Sequence, residues 1–307
     1  MSLISSNKNK LAIKFLSLFS VVRGYNILIL VTAQYLAAIF IFSEEKTIFP
    51  VLFDWHLLYL VLATVSVVAS GYIINNFYDV KADRINRPLK SGLDAQIRQE
   101  TKLSLYFLLN FIGFCFGWLV SWRAAIFFAT YTFGIWLYSH KLKRFPLIGL
   151  ISATILTILP FFVIFIHYKN FSQIIFIHAV FLFLIIMVRE LIKDLENIKG
   201  AVVNNYKTFP VAYGEKKTKR FITFLITLTF IPTIILFSYN GIAYMKYYFY
   251  FACAILIFIG FYLFKANSRK QYQLLHNILK VLLLIGVFSL LLIDKSLLLD
   301  KIISQFN

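Results

Sequence analysis

Residues 57–88 read LLYLVLATVSVVASGYIINNFYDVKADRINRP. Residues 57–78 contain no charged side chain, and about 20 apolar residues in a helix cross the hydrocarbon core of a bilayer. The polar residues that follow are periodic. Asn75, Asp79 and Asp83 recur at i, i+4 and i+8, so a helix running through them carries one polar stripe on one face. Carboxylates one turn apart repel unless a cation lies between them. Acids at membrane depth are costly to bury, which makes them functional candidates. Two carboxylates and an amide carbonyl suit a hard cation such as Mg2+, which completes its shell with phosphate oxygens. The bland alternative is a solvated loop in which Asp79 and Asp83 pair with Lys81, Arg84 or Arg87.

Apolar blocks of this kind run the length of the chain. Nine are readable, at about 26–43, 57–78, 103–120, 124–139, 147–166, 172–188, 221–238, 247–264 and 276–293, with the shortest break between the third and fourth. Of the 307 residues 60% are hydrophobic and 14% charged, and the mean hydropathy is +0.79. Soluble domains carry roughly 25% charged residues, so a pair of soluble domains is excluded. The expectation is an all-α polytopic membrane protein with nine transmembrane helices in one domain, 1–307. Residues 1–22 form a cytosolic N-terminal segment, of which 11–22 read as an interfacial helix without a cleavage site. The stretches 79–102 and 189–220 read as cytosolic loops, punctuated by Pro88 and Gly92 and by Gly200, Pro210 and Gly214. Pro160 falls inside the fifth block and predicts a kink. Cys115 and Cys253 lie in apolar blocks and imply neither a disulfide nor a metal site.

The net charge of +18 invites a nucleic-acid reading, but its distribution points to a membrane. With the N-terminus inside, 24 basic residues fall in inside segments and 6 in outside segments: Lys46, Arg123, Lys169, Lys246, Lys295 and Lys301. Lys280 falls within the last block. That bias predicts a cytosolic N-terminus and an outside C-terminus, as in a bacterial inner-membrane protein, and no nucleic-acid partner.

The sixth block ends in MVRELIKDLENIKG, residues 187–200. Glu190, Asp194 and Asn197 again share a helical face, flanked by Arg189, Lys193 and Glu196. Five of the thirteen acids of the chain lie in these two motifs. Two acidic stripes on the same side of the membrane suit metal ions with a diphosphate between them, the nearby Arg and Lys neutralising phosphate charge. The bland reading of the second motif is a helix end with salt bridges along it. No two histidines share a spacing typical of a metal site, and His140, in a basic inner segment, is a lesser candidate for phosphate contact.

With these motifs in view the chain resembles the UbiA family of intramembrane prenyltransferases. The first motif, Asn75 to Asp83 followed by Arg87-Pro88, is similar to that family's N-D-x-x-D-x-x-x-D signature. The second is similar to its R-E-x-x-K-D-x-x-D-x-x-G-D stretch: Arg189-Glu190, Lys193-Asp194, Asn197 and Gly200, then Thr208-Phe209-Pro210. Tyr138-Ser139 with Leu142-Lys143-Arg144 resembles the Y-S-x-x-L-K-R loop, and Arg23 and Asn26 resemble the pair opening the first span. Asn76, Asn197 and Ala201 stand where the family commonly has Asp.

The resemblance implies a nine-helix bundle with a central cavity open to the cytosolic side. It implies Mg2+-dependent prenyl transfer from a polyprenyl diphosphate to a hydrophobic acceptor, a lipid or quinone precursor. Asn75, Asp79, Asp83 and Asp194 would hold metal, with Asn197 and Glu196 as further ligands. Arg23, Asn26, Arg87, Lys143, Arg144, Arg189 and Lys193 would bind substrate. Asp79, Asp83, Asp194 and Glu190 form the catalytic set, with Asp83 or Glu190 as alternative acceptors of the acceptor's proton. The R-E-x-x-K-D form followed by T-F-P looks most like the branch that prenylates geranylgeranylglycerol phosphate. An aromatic quinone precursor of homogentisate or dihydroxynaphthoate type is the runner-up. A cation-coupled transporter and a non-catalytic paralogue are the readings from other classes.

Overall fold

The computed structural model describes residues 2–43 and 48–293. In chain order its helices are α1 (Ser2–Val21), α2 (Gly24–Ala37, continued by a π-helical turn Ala38–Phe42), α3 (Ile48–Leu52), α4 (Trp55–Asn86) and α5 (Pro88–Asp94). There follow α6 (Gln99–Val120), α7 (Trp122–His140), α8 (Pro146–Tyr168), α9 (Gln173–Glu196) and α10 (Ile198–Val203). The last are α11 (Phe209–Tyr213), α12 (Glu215–Phe237), α13 (Lys246–Lys265) and α14 (Arg269–Ser289). No strand occurs among the described residues. Lys46, Lys295, Lys301 and the C-terminus lie outside them.

Eight of the expected blocks form helices long and apolar enough to cross a membrane, by length and composition. The block at 124–139 forms α7, which has 19 residues and is not among the eight. Large apolar side chains such as Phe111, Trp118, Trp122, Phe133 and Phe261 lie on the outer surface. A contiguous apolar surface of this extent fits a lipid environment rather than water.

Within their apolar stretches α4 is 67% and α9 50% buried, the two highest values among the eight. The helices carrying the acidic motifs are therefore the two most enclosed. α4 packs against α2, α6, α7, α8 and α10, and α9 against α8, α12 and α14. Polar side chains tie the first group together: Ser70 of α4 donates to Asn110 of α6 at 2.5 Å, and Thr132 of α7 donates to the same oxygen at 3.4 Å. At the opposite end Asp54 caps α4, accepting the His56 backbone N–H at 2.8 Å, and meets His167 near the end of α8 at 2.8 Å.

Two expectations need correction. The stretches that begin at 79 and 189 are not loops where the motifs lie. α4 continues through Asp79 and Asp83 to Asn86, and α9 through Glu190 and Asp194 to Glu196. The first charged residue ends an apolar block but does not end a helix. What ends α4 is Pro88, which takes the first turn of α5 and forces Arg87 out of the helical region (φ −145°). Gly92 and Gly200 are no breakers either: they lie inside α5 and α10.

α8 runs through Pro160. The missing N–H frees the Leu156 carbonyl, which accepts the Tyr131 hydroxyl of α7 at 2.9 Å, while the Pro160 carbonyl accepts the Gln34 amide of α2 at 2.8 Å. Neighbouring helices thus satisfy the backbone groups that proline disturbs, as the hydrocarbon environment requires.

Candidate active site

The stripe read from the first motif exists as drawn, because Asn75, Asp79 and Asp83 all lie on one unbroken helix. Lys143, in the turn between α7 and α8, reaches it from below. Its ammonium donates to Asp79 Oδ1 at 2.7 Å and approaches Asn75 Oδ1 at 3.4 Å. Tyr206, in the segment between α10 and α11, donates its hydroxyl to the same Asp79 oxygen at 2.9 Å. Its ring, 5.0 Å from the Lys143 ammonium, lies under that charge. Burial and the Asp79 carboxylate push the Tyr206 hydroxyl above its ordinary value, so it stays protonated and donates. Burial pulls the Lys143 ammonium below 10.5, a shift that Asp79 opposes.

Arg23 and Asn26 approach one turn deeper on α4. The Arg23 guanidinium lies 4.9 Å from the centre of the Tyr72 ring, and the Asn26 amide donates to the Tyr72 hydroxyl at 3.4 Å. The charges of Asp79, Arg23, Arg87 and Lys90 reach Asp83, whose carboxylate accepts no hydrogen bond among the described residues. Asp194 of α9 is likewise half-buried without a hydrogen bond, with Lys193 and Glu190 as its charged neighbours. Tyr138 at the end of α7 is within electrostatic reach of Asp79, Asp194 and Glu190, so the two motifs converge around it.

Other members of the second motif are engaged. Glu190 accepts from Arg189 at 2.8 Å and from Lys193 at 2.5 Å, one on each oxygen. Glu196 turns toward α14 and meets His276 Nδ1 at 2.7 Å, both side chains almost fully buried. Asn197 donates to the Lys193 carbonyl at 2.8 Å, leaving its own Oδ1 buried without a donor. Arg144 is exposed, and its carbonyl accepts the Lys207 N–H at 3.2 Å. His140 stacks on Trp136 and meets the Tyr78 hydroxyl at 3.1 Å.

A model of the UbiA prenyltransferase family matches residues 18–284, most of the chain. The chain belongs to the UbiA prenyltransferase family. Among its relatives is digeranylgeranylglyceryl phosphate synthase of Methanobrevibacter smithii, 28% identical over 280 residues, covering 88% of this chain and 94% of that protein. The synthase of the same name from Methanosphaera stadtmanae is 32% identical over 208 residues, covering 66% of this chain and 74% of that one. A UbiA homologue from Archaeoglobus fulgidus bound to GPP and Mg2+ superposes with a TM-score of 0.67 at 12% identity, covering 89% of this chain and 99% of the other. A structure described as a study of digeranylgeranylglyceryl phosphate synthase in membranes has the same TM-score at 22% identity, with coverage of 90% and 97%. This UbiA protein is thus a membrane-embedded prenyltransferase with the family fold.

Among the described residues no three Asp, Glu, His or Cys side chains gather into an all-protein metal cage. Mg2+ seldom uses one, taking one or two carboxylates plus substrate phosphates. Asp83 and Asp194 have no hydrogen-bond donor, and the buried Asn197 Oδ1 is orphaned. Free oxygen ligands from both motifs fit that ion. Glu196, taken by His276, does not fit it in this conformation.

Several neighbours of the candidate residues were not singled out from sequence. Tyr72, Tyr78 and Tyr206 had no signal, since one tyrosine among 18 is unremarked. His276 and Lys280 did have one: they are titratable groups in an apolar block.

Proposed function

We propose that this enzyme transfers a geranylgeranyl-type group from its diphosphate to the free hydroxyl of a prenylated glycerol phosphate, forming an ether lipid. The names of its relatives support the acceptor, and the Mg2+ and GPP of the A. fulgidus homologue support the donor. The observation that carries the reading is the pair of unbonded carboxylates, Asp83 and Asp194, one from each motif and each with basic neighbours.

In this reading Asn75, Asp79, Asp83, Asp194 and Asn197 hold Mg2+, which supplies Lewis-acid stabilisation of the leaving diphosphate. Lys143, Arg144, Lys193, Arg23 and Asn26 hold the phosphate oxygens. Tyr206 fixes the orientation of Asp79. The bond between the prenyl carbon and diphosphate oxygen breaks, and its electron pair leaves with the diphosphate. The acceptor hydroxyl oxygen bonds to the allylic carbon and loses its proton. Asp83, in place of its metal role, suits that proton better than Glu190, whose two oxygens are already taken. The site faces the cytosol, in a cavity opening to that side, and α7 completes nine spans in the cell's inner membrane.

The test uses the purified protein in detergent with Mg2+, geranylgeranyl diphosphate and a panel of acceptors, read by mass spectrometry of the products. Turnover is expected with geranylgeranylglyceryl phosphate, and exclusive use of an aromatic acceptor would reassign the substrate. Asp79→Ala and Asp194→Ala are each expected to lower kcat by about 100-fold, the scale of losing one group that stabilises transition-state charge. An Asp79→Ala enzyme as active as the wild type would remove the metal assignment.

A further inference from the structure

Lys280 is a charge inside a membrane-spanning helix, and nothing in the reaction above uses it. Its position is fixed by the Glu196–His276 contact, which pins the inner end of α9 to α14. From Glu196 back to Arg189 is seven residues, two turns, so Arg189 lies on nearly the same face of α9 about 10 Å deeper. From His276 on to Lys280 is four residues, so Lys280 lies on the same face of α14 about 6 Å deeper. Both cations are therefore carried by the facing sides of α9 and α14, beneath the Glu196–His276 pair. The charges acting on Lys280 are three cations, Arg189, Arg87 and Arg23, and one carboxylate, Glu196. The one carboxylate among them, Glu196, already has His276 on its oxygen. Arg189 spends one terminal nitrogen on Glu190, and its Nε is buried without any acceptor. Lys280 makes no hydrogen bond or ion pair among the described residues.

Like charges gathered at membrane depth repel, and an anion among them relieves that repulsion. Lys143, where the acting charges are Asp79, Asp83 and Arg144, lies apart from Lys280 and Arg189, while Arg23 and Arg87 reach both Lys280 and Asp83. The acidic motifs thus have cations on two sides, Lys143 with Arg144 and Lys280 with Arg189, and Arg23 and Arg87 stand between them. We infer that Lys280, with Arg189 and Arg87, forms a second anion subsite that takes the phosphate monoester of the acceptor lipid, leaving the Lys143 pole to the prenyl diphosphate. The inference rests on the proposed glycerol-phosphate acceptor and adds to it the residues that would recognise the phosphate.

The experiment is steady-state kinetics with geranylgeranyl diphosphate as donor and two acceptors, geranylgeranylglyceryl phosphate and geranylgeranylglycerol. Lys280→Gln is expected to raise KM for the phosphorylated acceptor about tenfold, the scale of one lost charge-assisted contact, and to leave KM for the donor within about twofold. The alcohol should respond little, and Lys280→Arg should recover most of the lost affinity. An unchanged donor KM also shows that the variant is folded. If Lys280→Gln raises the donor KM by the same factor, or leaves the acceptor KM unchanged while the wild type turns over the phosphorylated lipid, the subsite is wrong and the acceptor reading stands. If the wild type uses neither acceptor, the acceptor reading fails and the subsite falls with it.

Discussion

At the scale of single residues, Asn76 explains a departure from the family pattern. It adjoins Asn75 in the motif but points elsewhere. Its amide donates to Asp94 of α5 at 3.0 Å, and its carbonyl accepts the Lys102 ammonium of α6 at 2.9 Å. Asp94 also accepts from Ser20 at 2.7 Å and from Lys90 at 2.8 Å, so Asn76 sits in a buried network of four other side chains. An aspartate there would keep the Lys102 contact but set a second carboxylate against Asp94. Asn76→Asp is therefore expected to lose about 1–3 kcal/mol of stability, the cost of a buried polar contact turned repulsive. The melting temperature in detergent measures this, and Asp94→Asn added to Asn76→Asp should restore part of the loss. A single variant as stable as the wild type would show that the network carries no weight. The spacing of Asn75, Asp79 and Asp83 was legible because a helical period alone puts them on one face. The destinations of Asn76 and Glu196 were not, since periodicity says which residues share a face and not what that face meets.

At the scale of helices, the acidic motifs are held by the ends of their elements. Asn86, at the end of α4, donates to the Asn197 carbonyl at 3.4 Å and accepts the Gly200 N–H at 3.3 Å. A side chain at Gly200 would collide with Asn86 and the Ala82 carbonyl, so glycine is what lets α10 lie against α4. Arg269 at the start of α14 donates to the Asn86 carbonyl, tying a third helix to the same point. The far ends are held differently, by Asp54 between α4 and α8. Burial raises the Asp54 carboxyl, but the bonds from His167 and the His56 backbone outweigh it, leaving it below its ordinary 3.8. A depressed carboxyl contributes stability that is fully present above its unfolded value and is lost as pH falls through the folded one. The melting temperature of the wild type should therefore exceed that of Asp54→Asn from neutral pH down to about pH 4, and the gap should close below that. A gap that stays constant into stronger acid would mean that the carboxylate charge contributes nothing. None of this tethering was readable in sequence. It joins residues 111 to 183 positions apart, and no local pattern links them.

At the scale of the molecule, the spanning helices were legible because apolar block length marks them, while the side that each end faces rests on charge placement alone. The fourth block, set off from the third by the shortest break, forms the one helix of the nine that falls short on composition. Connectivity argues that α7 crosses the membrane all the same. α6 begins beside the motif, where Lys102 bonds Asn76, and α7 leads into Lys143, which bonds Asp79 on the same helix. Chain that leaves this level along α6 returns to it along α7. The 19 residues of α7 span about 28 Å, close to the roughly 30 Å of the hydrocarbon core. The side chains that lower its apolar character are partly accounted for inside the bundle, Tyr131 on the Leu156 carbonyl and Thr132 on Asn110. In a background with Cys115 and Cys253 replaced by Ser, single cysteines at Arg123 and Lys141 mark the two ends of α7, and one at Gln96 marks the motif side. All three positions are exposed. A membrane-impermeant maleimide is expected to label Arg123→Cys on intact cells, and Lys141→Cys and Gln96→Cys only in inverted vesicles. Labelling of Arg123→Cys and Lys141→Cys from one side would mean that α7 does not cross. The 24-to-6 charge bias would then lose its alternation, and with it the argument that both motifs face the cytosol.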